Sequence, residues 1–332
     1  MSAVPATMTV VEIASPGGPE VLKPATRPVP APGPGEVLIR VEAAGVNRPD
    51  VLQRMGLYPD PRTRSPEIPG LEFAGTVGAV GERVTMWRPG ERVMGIEAGG
   101  AYAERIATHE RQLLAVPEGI DLVAAAAIPE VFLTAWDALV LQGGLTSGRW
   151  ALVHAGGSGV GTASIQIAKA IGARIAVTCS AGKAQACRDL GADLVLERSP
   201  HDWLTDARAA VPQGFDTVLD VIGGEEVDRN LQAVATRGTI VQVGLMGGGT
   251  TPVNVGLLLG KRATWVGTTL RTRPIEEKVA VTRRFAAEVL PLFDAGALRP
   301  VIDSLFPFEQ IADAHRLMER NANTGKILVT LR

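Results

Sequence analysis

Short apolar runs separated by glycine and proline turns fill the first part of the chain. The segment GEVLIRVEAAGV (35–46) alternates apolar and polar positions as a half-buried strand does. Three further runs have the length and the bounding turns of strands: LEFAGTVGAVG (71–81), GERVMGI (90–96) and AYAERIAT (101–108). The pattern predicts a compact β-rich domain over residues 1–125.

Strand and helix patterns alternate from residue 126 onwards. WALVHA (150–155) is a mostly apolar run typical of a buried strand, and SGVGTASIQIAKAIGA (158–173) has helical periodicity. Further strands are predicted at RIAVTC (174–179), DLVLER (193–198), FDTVLDVIG (215–223), GTIVQVGL (238–245) and ATWVGTTL (263–270). The short connections between strands and helices indicate a doubly wound parallel sheet, and therefore an α/β fold class.

Length and composition limit the classes of function. The 332 residues suit two domains, and 46% hydrophobic residues can form sizeable cores. The net charge of −2 and the pI of about 6.2 argue against nucleic acid or an anionic membrane surface as a partner. Two cysteines, Cys179 and Cys187, cannot form a disulfide framework, which favours a reducing compartment. Since the sequence has no signal peptide and no long apolar run, we expect a cytoplasmic protein.

The residues GGSGVG (156–161) differ by one residue from the dinucleotide-binding fingerprint G-x-G-x-x-G. Gly156 and Gly161 take the first and third glycine positions, and Ser158 stands at the second. A predicted buried strand precedes the loop and a predicted helix starts at about Ser158, so free amides at the helix start could hold a pyrophosphate. The Ser158 hydroxyl could donate to a phosphate oxygen. The alternative is a glycine-rich turn without a ligand.

The end of the next predicted strand indicates which nicotinamide cofactor binds. An NAD site usually has an acid there, to bind the adenosine ribose. This strand instead runs into VTCSAGK (177–183), which offers Thr178, Ser180 and Lys183 but no carboxylate, and Arg198 ends the third strand. Uncharged and cationic groups suit a 2′-phosphate, which favours NADPH over NADH. The alternative is that Lys183 and Arg198 are solvated surface residues.

The glycine loop occurs in order with six other motifs. These are AAGVNRPDVLQRMGLY (43–58), IPGLEFAGTV (68–77), AAAIPEVFLTAWDAL (125–139), GLMGGG (244–249), LRTR (270–273) and NTGKILV (323–329). Together they resemble the zinc-free quinone oxidoreductase branch of the medium-chain dehydrogenases and reductases. The resemblance implies a GroES-like β-rich domain, residues 1–125 completed by residues 295–332, and a Rossmann domain over residues 126–294.

The zinc ligands of that superfamily have no counterparts in this chain. Where zinc alcohol dehydrogenases have a cysteine, a histidine and a third ligand, this sequence has Asn47, Leu71 and Glu130. These residues cannot form the Cys/His site that zinc prefers, and two cysteines are too few for a four-cysteine structural site. We predict no bound metal and interpret the histidines as surface or packed residues: His109, His154, His201 and His315.

The resemblance also implies roles for individual residues. Asn47 and Tyr58 match residues of the substrate cleft, where they could hydrogen-bond a quinone oxygen as charge develops on it. The other matches concern the cofactor: Tyr58 and Thr134 at the nicotinamide, Ser158, Gly159, Val160 and Gly161 at the pyrophosphate, Lys183 at the 2′-phosphate, and Gly244, Leu245, Met246, Leu270, Arg271, Asn323 and Lys326 near the cofactor or the cleft. Gly156 and Ser180 complete the predicted cofactor site, and Arg198 stands where the family usually has a tyrosine.

Some of these residues also have a purely structural interpretation. Thr134 could make a bond within its helix, Asn323 could cap a helix, and Tyr58 could pack on the surface.

The predicted reaction is hydride transfer from NADPH to a quinone. Quinones are strong electrophiles, so the protein would mainly position two rings and exclude water. The first alternative is an NADPH-dependent reductase of α,β-unsaturated carbonyls, which would use the same scaffold. The second is a non-catalytic protein that binds NADPH or RNA, against which the lack of a basic stripe argues. By analogy with the family, we expect a homodimer or a homotetramer.

Overall fold

The computed structural model describes residues 4–62, 67–198 and 202–331. These residues divide into two compact units. The first unit is formed by the chain up to Glu130 together with the chain from Arg271 onwards, and the second unit is Val131–Leu270. Each unit has its own sheet and its own apolar core.

The amino-terminal part of the first unit is rich in β-structure, as predicted. Its strands are β1 (Thr7–Ile13), β2 (Leu22–Pro28), β3 (Glu36–Val46), β4 (Glu72–Val80), β5 (Arg92–Ile96), β6 (Arg105–His109) and β7 (Leu113–Ala115). Its helices are α1 (Arg48–Arg54), α2 (Leu122–Ala125) and the start of α3 (Pro129–Trp136), with 3-10 turns at Pro19–Val21 and Glu110–Gln112. Val37, Ile39 and Val41 alternate along β3 and all join the core of this unit, which is the two-residue period of a strand.

The second unit contains the predicted alternation of strands and helices. A π-helical segment, Asp137–Gln142, continues α3. The strands are β8 (Trp150–Val153), β9 (Arg174–Cys179), β10 (Leu194–Glu197), β11 (Phe215–Asp220), β12 (Val234–Gln242) and β13 (Thr264–Gly267). The helices are α4 (Gly159–Ala170), α5 (Ala184–Asp189), α6 (Trp203–Ala210), α7 (Glu226–Ala233) and α8 (Val255–Lys261), with a 3-10 turn at Ala181–Lys183.

All strand pairs in the sheet of the second unit are parallel, in the order β10-β9-β8-β11-β12-β13. Counted along this unit, the order is third, second, first, fourth, fifth and sixth strand, which is the order of the Rossmann fold. The α/β fold class predicted for this part of the chain is therefore confirmed. In such a sheet ligands bind outside the carboxyl ends of the strands, where β8 runs into the glycine loop.

The carboxyl-terminal part of the chain completes the first unit. It contains α9 (Ile275–Glu288), α10 (Leu290–Asp294), β14 (Ile302–Pro307), a 3-10 turn (Phe308–Gln310), α11 (Ile311–Glu319) and β15 (Lys326–Thr330). The last strand inserts between β14 and β3, so the larger sheet of this unit has the order β14-β15-β3-β4-β5-β7, with β6 also paired to β3. The tail thereby brings Lys326 opposite the end of β3.

The two units differ from the predicted domains in two segments, residues 126–130 and residues 271–294, both of which belong to the first unit. Residues 271–294 were expected in the Rossmann domain, but they pack within the first unit. Arg283 on α9 donates to the carbonyl oxygens of Arg111 and Leu113, at 3.0 and 3.1 Å from Nη2. Glu276, at the start of the same helix, forms an ion pair with Arg111. Sequence periodicity predicts that this segment is helical but does not indicate which sheet the helix covers.

Across residues 4–62, 67–198 and 202–331, none of the helices combines the length and the hydropathy that a membrane span requires.

Candidate functional site: a glycine loop and a buried polar cluster

A tight turn connects β8 to the glycine loop in the second unit. Ala155, directly before the loop, has a φ of 58°, a left-handed conformation that is uncommon for a residue with a Cβ. The Gly156 amide donates to the Thr178 carbonyl at 2.9 Å, which holds the loop against the end of β9. Ser158 then caps α4, because its hydroxyl accepts from the Gly161 amide at 3.0 Å. The strand, turn and helix predicted around this loop are therefore present.

Two of the loop glycines are required by close approach. A Cβ on Gly156 would lie 2.6 Å from the Cβ of Val177, and a Cβ on Gly161 would lie 2.4 Å from the Ala155 carbonyl oxygen. Neither neighbour can move without shifting the β8–α4 turn or β9. The first and third positions of the fingerprint are thus glycine for steric reasons, as the motif requires.

The start of α4 fits an anion. The amides of Gly159 and Val160 have no hydrogen-bond acceptor within the described part of the chain. They belong to the first turn of a twelve-residue helix, where amides lack intrahelical partners and the helix dipole favours negative charge. A pyrophosphate would satisfy both amides.

Lys183 packs on this loop. A Cβ on Gly157 would lie 2.6 Å from Cδ of Lys183, so the lysine stem crosses the loop where glycine leaves room. Ser180, between β9 and Lys183, is exposed. Arg198 lies after β10, and its guanidinium is 3.7 Å from the carboxylate of Glu226. The structure therefore brings Lys183 to the glycine loop, whereas Arg198 already has an acidic neighbour.

The other predicted cofactor residues of the second unit lie on α3, on the loop after β12 and at the end of the unit. Thr134 is buried in α3. Gly244, Leu245 and Met246 follow β12, and the side chains of Leu245 and Met246 are exposed. Leu270 is half-buried and is the last residue of this unit.

In the first unit, Asn47 belongs to a buried polar cluster at the end of β3. Its Nδ2 donates to Oε1 of Glu72 at 2.9 Å, and its Oδ1 accepts from Nζ of Lys326 at 2.6 Å. Lys326 also lies 2.6 Å from Glu72 and donates to the Val46 carbonyl at 3.0 Å. The three donor positions of the ammonium are thus occupied within the protein. A substrate contact of Asn47, or a cofactor contact of Lys326, would have to replace one of these bonds.

The cluster continues through Asp50 and Tyr102, which the sequence alone did not single out, and through His315, one of the histidines interpreted as surface or packed residues. Asp50 accepts from the backbone amide of Asn47 at 2.8 Å and from the Tyr102 hydroxyl at 3.1 Å. The Nε2 of His315 lies 3.1 Å from the same hydroxyl. All three side chains are buried. Burial raises the pKa of Asp50 to about 6, and the bonds from Asn47 and Tyr102 oppose that shift. Burial, together with the charges of Arg54 and Arg48, lowers the pKa of His315 to about 3.

Glu130 adds a second acid near Glu72. Its backbone amide donates to Oε2 of Glu72 at 2.8 Å. The pKa of Glu130 is raised to about 8. The largest cause is the partial removal of its half-buried side chain from water, and the second is the negative charge of Glu72. The sequence signal for this cluster was available: Glu72 is the one charged residue in IPGLEFAGTV, and Lys326 begins the apolar run KILV.

Tyr58 is half-buried under the guanidinium of Arg271. The Arg271 carbon Cζ lies 4.6 Å from the centre of the Tyr58 ring, and Nη1 donates to the Tyr58 carbonyl at 2.8 Å. Nε donates to the Ala98 carbonyl and Nη2 to Oε1 of Gln53, both at 2.7 Å. The predicted cleft residue Arg271 is thus buried in the first unit, where it fixes the loop that carries Tyr58.

Asn323 is buried at the turn before β15. Its Nδ2 donates to the Gly325 carbonyl at 2.7 Å, which closes a local turn before Lys326. Of the four histidines, His201 lies outside the described residues.

The residues at the superfamily's zinc position do not fit a metal. Leu71 has no donor atom, and the Oδ1 of Asn47 already accepts from the Lys326 ammonium, whose positive charge would repel a divalent ion. No cluster of three or more histidine, cysteine, aspartate or glutamate side chains that could hold a metal occurs among residues 4–62, 67–198 and 202–331.

Family comparisons match both parts of the chain. Residues 33–118 match the alcohol dehydrogenase GroES-like domain, and residues 190–329 match a family described as zinc-binding dehydrogenase. The rat synaptic vesicle membrane protein VAT-1 homolog is 32% identical over 94% of this chain and 81% of its own length. The human quinone oxidoreductase is 30% identical over 98% of both chains.

Solved structures of similar proteins cover almost the whole chain. A mycobacterial protein in complex with NADPH is 31% identical, with a TM-score of 0.87 over 98% of this chain and all of its own. An NAD-dependent alcohol dehydrogenase gives the same identity, TM-score and coverage. The enoyl reductase CurK is 25% identical, with a TM-score of 0.88 over 99% of this chain and all of its own. The matches confirm the GroES-like and Rossmann folds, and the chain belongs to the quinone oxidoreductase-like branch of the medium-chain dehydrogenase and reductase superfamily of oxidoreductases.

Proposed function

We propose that the protein is an NADPH-dependent quinone reductase that works without a metal. The observation that carries the proposal is the packing of Lys183 over Gly157, at a loop whose glycines and free helix amides fit a dinucleotide. A cation at this position favours a 2′-phosphate. The mycobacterial relative's NADPH complex supports the same cofactor, and the human relative's name supports a quinone as the acceptor. The NAD-dependent relative supports NADH as the alternative cofactor.

The proposed cofactor site uses the second unit. A bound NADPH would supply the hydride from its nicotinamide ring. The amides of Gly159 and Val160 would hold the pyrophosphate, and Ser158 could donate its hydroxyl hydrogen to a phosphate oxygen while still accepting from Gly161. Lys183 would bind the 2′-phosphate. Gly156 and Gly161 would contribute by leaving room for the turn.

The proposed reaction adds one hydride and one proton to the quinone. The hydride provides the electron pair, the quinone becomes a hydroquinone, and the proton comes from solvent. Through its hydroxyl, Tyr58 would donate a hydrogen bond to the quinone oxygen that gains negative charge, and Arg271 would hold the loop that carries Tyr58. Because the side-chain amide of Asn47 is hydrogen-bonded to Glu72 and Lys326, we assign Asn47 a positioning role at the end of β3.

A metal is not needed for this reaction. A quinone accepts hydride without the Lewis-acid help that a simple ketone needs, and the donor set at Asn47, Leu71 and Glu130 does not fit zinc. Activity should therefore survive prolonged dialysis against a strong chelator.

A second candidate is reduction of α,β-unsaturated carbonyls. It is favoured by the likeness to the enoyl reductase, whose fold covers 99% of this chain. Hydride would then add to the β-carbon and a proton to the α-carbon. A third candidate is a non-catalytic protein that binds NADPH.

Steady-state turnover separates these candidates. NADPH oxidation would be measured with ortho- and para-quinones, with an enone and an enoyl thioester, and with a simple ketone, before and after treatment with chelator. Faster turnover of quinones supports the proposal, faster turnover of enones supports the second candidate, and NADPH binding without any turnover supports the third. Efficient reduction of the ketone, or loss of activity with the chelator, would overturn the metal-free proposal.

The Tyr58 hydroxyl can be tested in the same assay. Tyr58→Phe keeps the ring under Arg271 and should lower kcat for quinones by about tenfold. The neighbouring exposed residue provides a control, since Leu57→Ala should leave kcat unchanged. Equal kcat values for Tyr58→Phe and the wild type would remove the hydroxyl from the mechanism.

We also propose a homodimer or homotetramer, supported by the family resemblance. Light scattering after size-exclusion chromatography tests this, and a monomer at micromolar concentration would contradict it.

A further inference from the structure

His154 is the centre of a buried hydrogen-bond chain in the second unit. It follows the last residue of β8, and its side chain is 1% exposed. Its Nδ1 lies 2.9 Å from Oγ1 of Thr178, and its Nε2 lies 2.7 Å from Oδ1 of Asn230. The Nδ2 of Asn230 donates to Oδ2 of Asp220 at 2.9 Å. Thr178, Asn230 and Asp220 are each 0% exposed.

The carboxylate of Asp220, at one end of this hydrogen-bond chain, determines which group donates in each of its bonds. The other oxygen of Asp220 accepts from the amides of Ile222 and Gly223, at 2.6 and 2.9 Å, as an ionised carboxylate does. Asn230 must therefore donate to Asp220 with its amide nitrogen, which leaves its oxygen as the acceptor for Nε2 of His154. A neutral His154 then carries its proton on Nε2 and accepts the Thr178 hydroxyl hydrogen on Nδ1.

This hydrogen-bond chain connects the carboxyl ends of three neighbouring strands. His154 follows β8, Thr178 belongs to β9 and Asp220 ends β11, while Asn230 reaches them from α7. This is the edge of the sheet from which the glycine loop departs.

Thr178 is bonded on two sides. Its hydroxyl is bonded to His154 and its carbonyl accepts from the Gly156 amide at 2.9 Å. Between these two bonds lies Ala155, with its left-handed φ of 58°. Such a conformation is strained for a residue with a Cβ and persists only where the surroundings enforce it.

We propose that His154 is a positioning residue for the dinucleotide: with Thr178, it fixes the strained turn at Ala155 and so aims the Gly159 and Val160 amides at the pyrophosphate. The inference rests on the proposed cofactor site. A phenylalanine at position 154 could also pack edge-on against Trp203, whose ring centre is 5.1 Å from that of His154. Packing alone therefore does not require histidine, whereas the two bonds from opposite ring nitrogens do.

Cofactor affinity and stability, measured together, test this proposal. His154→Phe keeps the ring and removes both bonds, and Thr178→Val removes the hydroxyl but keeps the carbonyl that binds Gly156. We expect each variant to weaken NADPH binding, measured by isothermal titration calorimetry, by about fivefold or more. The double variant His154→Phe/Thr178→Val should bind NADPH no more weakly than the single variant with the lower affinity. Both changes break the same hydrogen bond, between His154 and Thr178, so their effects should not add. Thr178→Ser, which keeps the hydroxyl, should restore the affinity.

A control separates positioning from general loss of stability. Phe215→Leu changes a buried residue at the start of β11, the opposite end of that strand from Asp220, so it should lower the melting temperature while NADPH affinity stays within about twofold of wild type. The proposal is overturned if His154→Phe and Thr178→Val bind NADPH like the wild type, or if Phe215→Leu weakens binding as much as they do. Failure of the wild type to bind NADPH or NADH would instead overturn the proposed cofactor site, and this inference with it.

Discussion

Lys326 and Glu72 form an ion pair that is almost completely removed from solvent, with Nζ 2.6 Å from Oε1 and side chains that are 3% and 0% exposed. Lys326 begins β15 and Glu72 begins β4, and both strands pair with β3. The pair therefore links the carboxyl-terminal tail to the amino-terminal part of the first unit. Each partner also bonds to the side chain of Asn47, so neither charge is left unsatisfied.

Breaking this pair should be costly. Lys326→Met leaves the Glu72 carboxylate buried beside Glu130 without its cation, and removal of one partner of a buried pair typically costs about 3–5 kcal/mol. We expect a loss of that size in the free energy of unfolding, measured with denaturant. The double variant Lys326→Met/Glu72→Gln removes both charges and should lose less.

An exposed ion pair provides the control for this prediction. Lys169 and Asp193 lie 2.7 Å apart, with side chains that are 40% and 31% exposed. Lys169→Met should cost less than about 1 kcal/mol. If Lys326→Met costs no more than this surface variant, the buried pair does not contribute to stability as its geometry implies.

Lys183 should determine the preference for the phosphorylated cofactor. Lys183→Ala removes a charge-assisted bond, worth about 1.5–3 kcal/mol, and should weaken NADPH by about tenfold or more while NADH binding hardly changes. Calorimetric titration of both cofactors measures this. Arg188→Ala, which removes a cation from α5 that lies 3.7 Å from Glu197, should affect neither cofactor. Equal affinities of the wild type for NADPH and NADH would contradict the cofactor assignment.

His315 should make the protein less stable in acid. Its pKa is about 3 in the folded state, below the ordinary 6.5, so between these values the unfolded chain binds a proton that the folded chain does not. This contribution to stability is present above pH 6.5 and is lost as the pH falls towards 3, with a slope of at most about 1.4 kcal/mol per pH unit. His315→Gln should flatten the acid side of a plot of unfolding free energy against pH.

Asp50 opposes His315 over part of the same range. Its pKa is about 6 in the folded state instead of the ordinary 3.8, so its contribution falls as the pH rises between these values. Because Asp50 is present in both proteins, the difference between the stability curves of His315→Gln and the wild type isolates the contribution of His315. Met318→Leu, which changes packing on α11 without adding or removing a titratable group, should keep the wild-type slope. An unchanged slope in His315→Gln would show that the histidine is not held neutral by burial.

Glu130 should make the fold less stable as the pH rises through neutrality. Because its folded pKa is about 8 and the ordinary value is 4.5, the folded chain holds a proton that the unfolded chain has lost between these values. Stability should therefore fall as the pH rises from about 4.5 to 8. Glu130→Gln should remove this decline, whereas Glu130→Asp, which keeps a carboxyl group beside Glu72, should retain it. A wild-type curve that runs parallel to that of Glu130→Gln across this range would rule out a protonated Glu130.

Local patterns in the sequence determined much of the fold and of the cofactor loop. The two-residue period of β3 and the strand–helix alternation after residue 126 reflect side-chain geometry within single elements. They can therefore be predicted without knowledge of the contacts between elements. The roles of Gly156 and Gly161 are local in the same sense, because the atoms that exclude a Cβ belong to the turn itself or to the next strand. The motifs also placed the chain in its superfamily.

Tertiary structure decided what the charged and polar residues do. Lys326 lies 254 residues after Glu72 in sequence, and Arg271 lies 213 residues after Tyr58, so neither spacing predicts a contact. The sequence also could not predict that residues 271–294 belong to the first unit. Helical periodicity indicates the apolar face of a helix but not the sheet on which that face packs. The pKa values of Asp50, Glu130 and His315 depend on burial and on charges from distant segments, which exist only once the chain has folded.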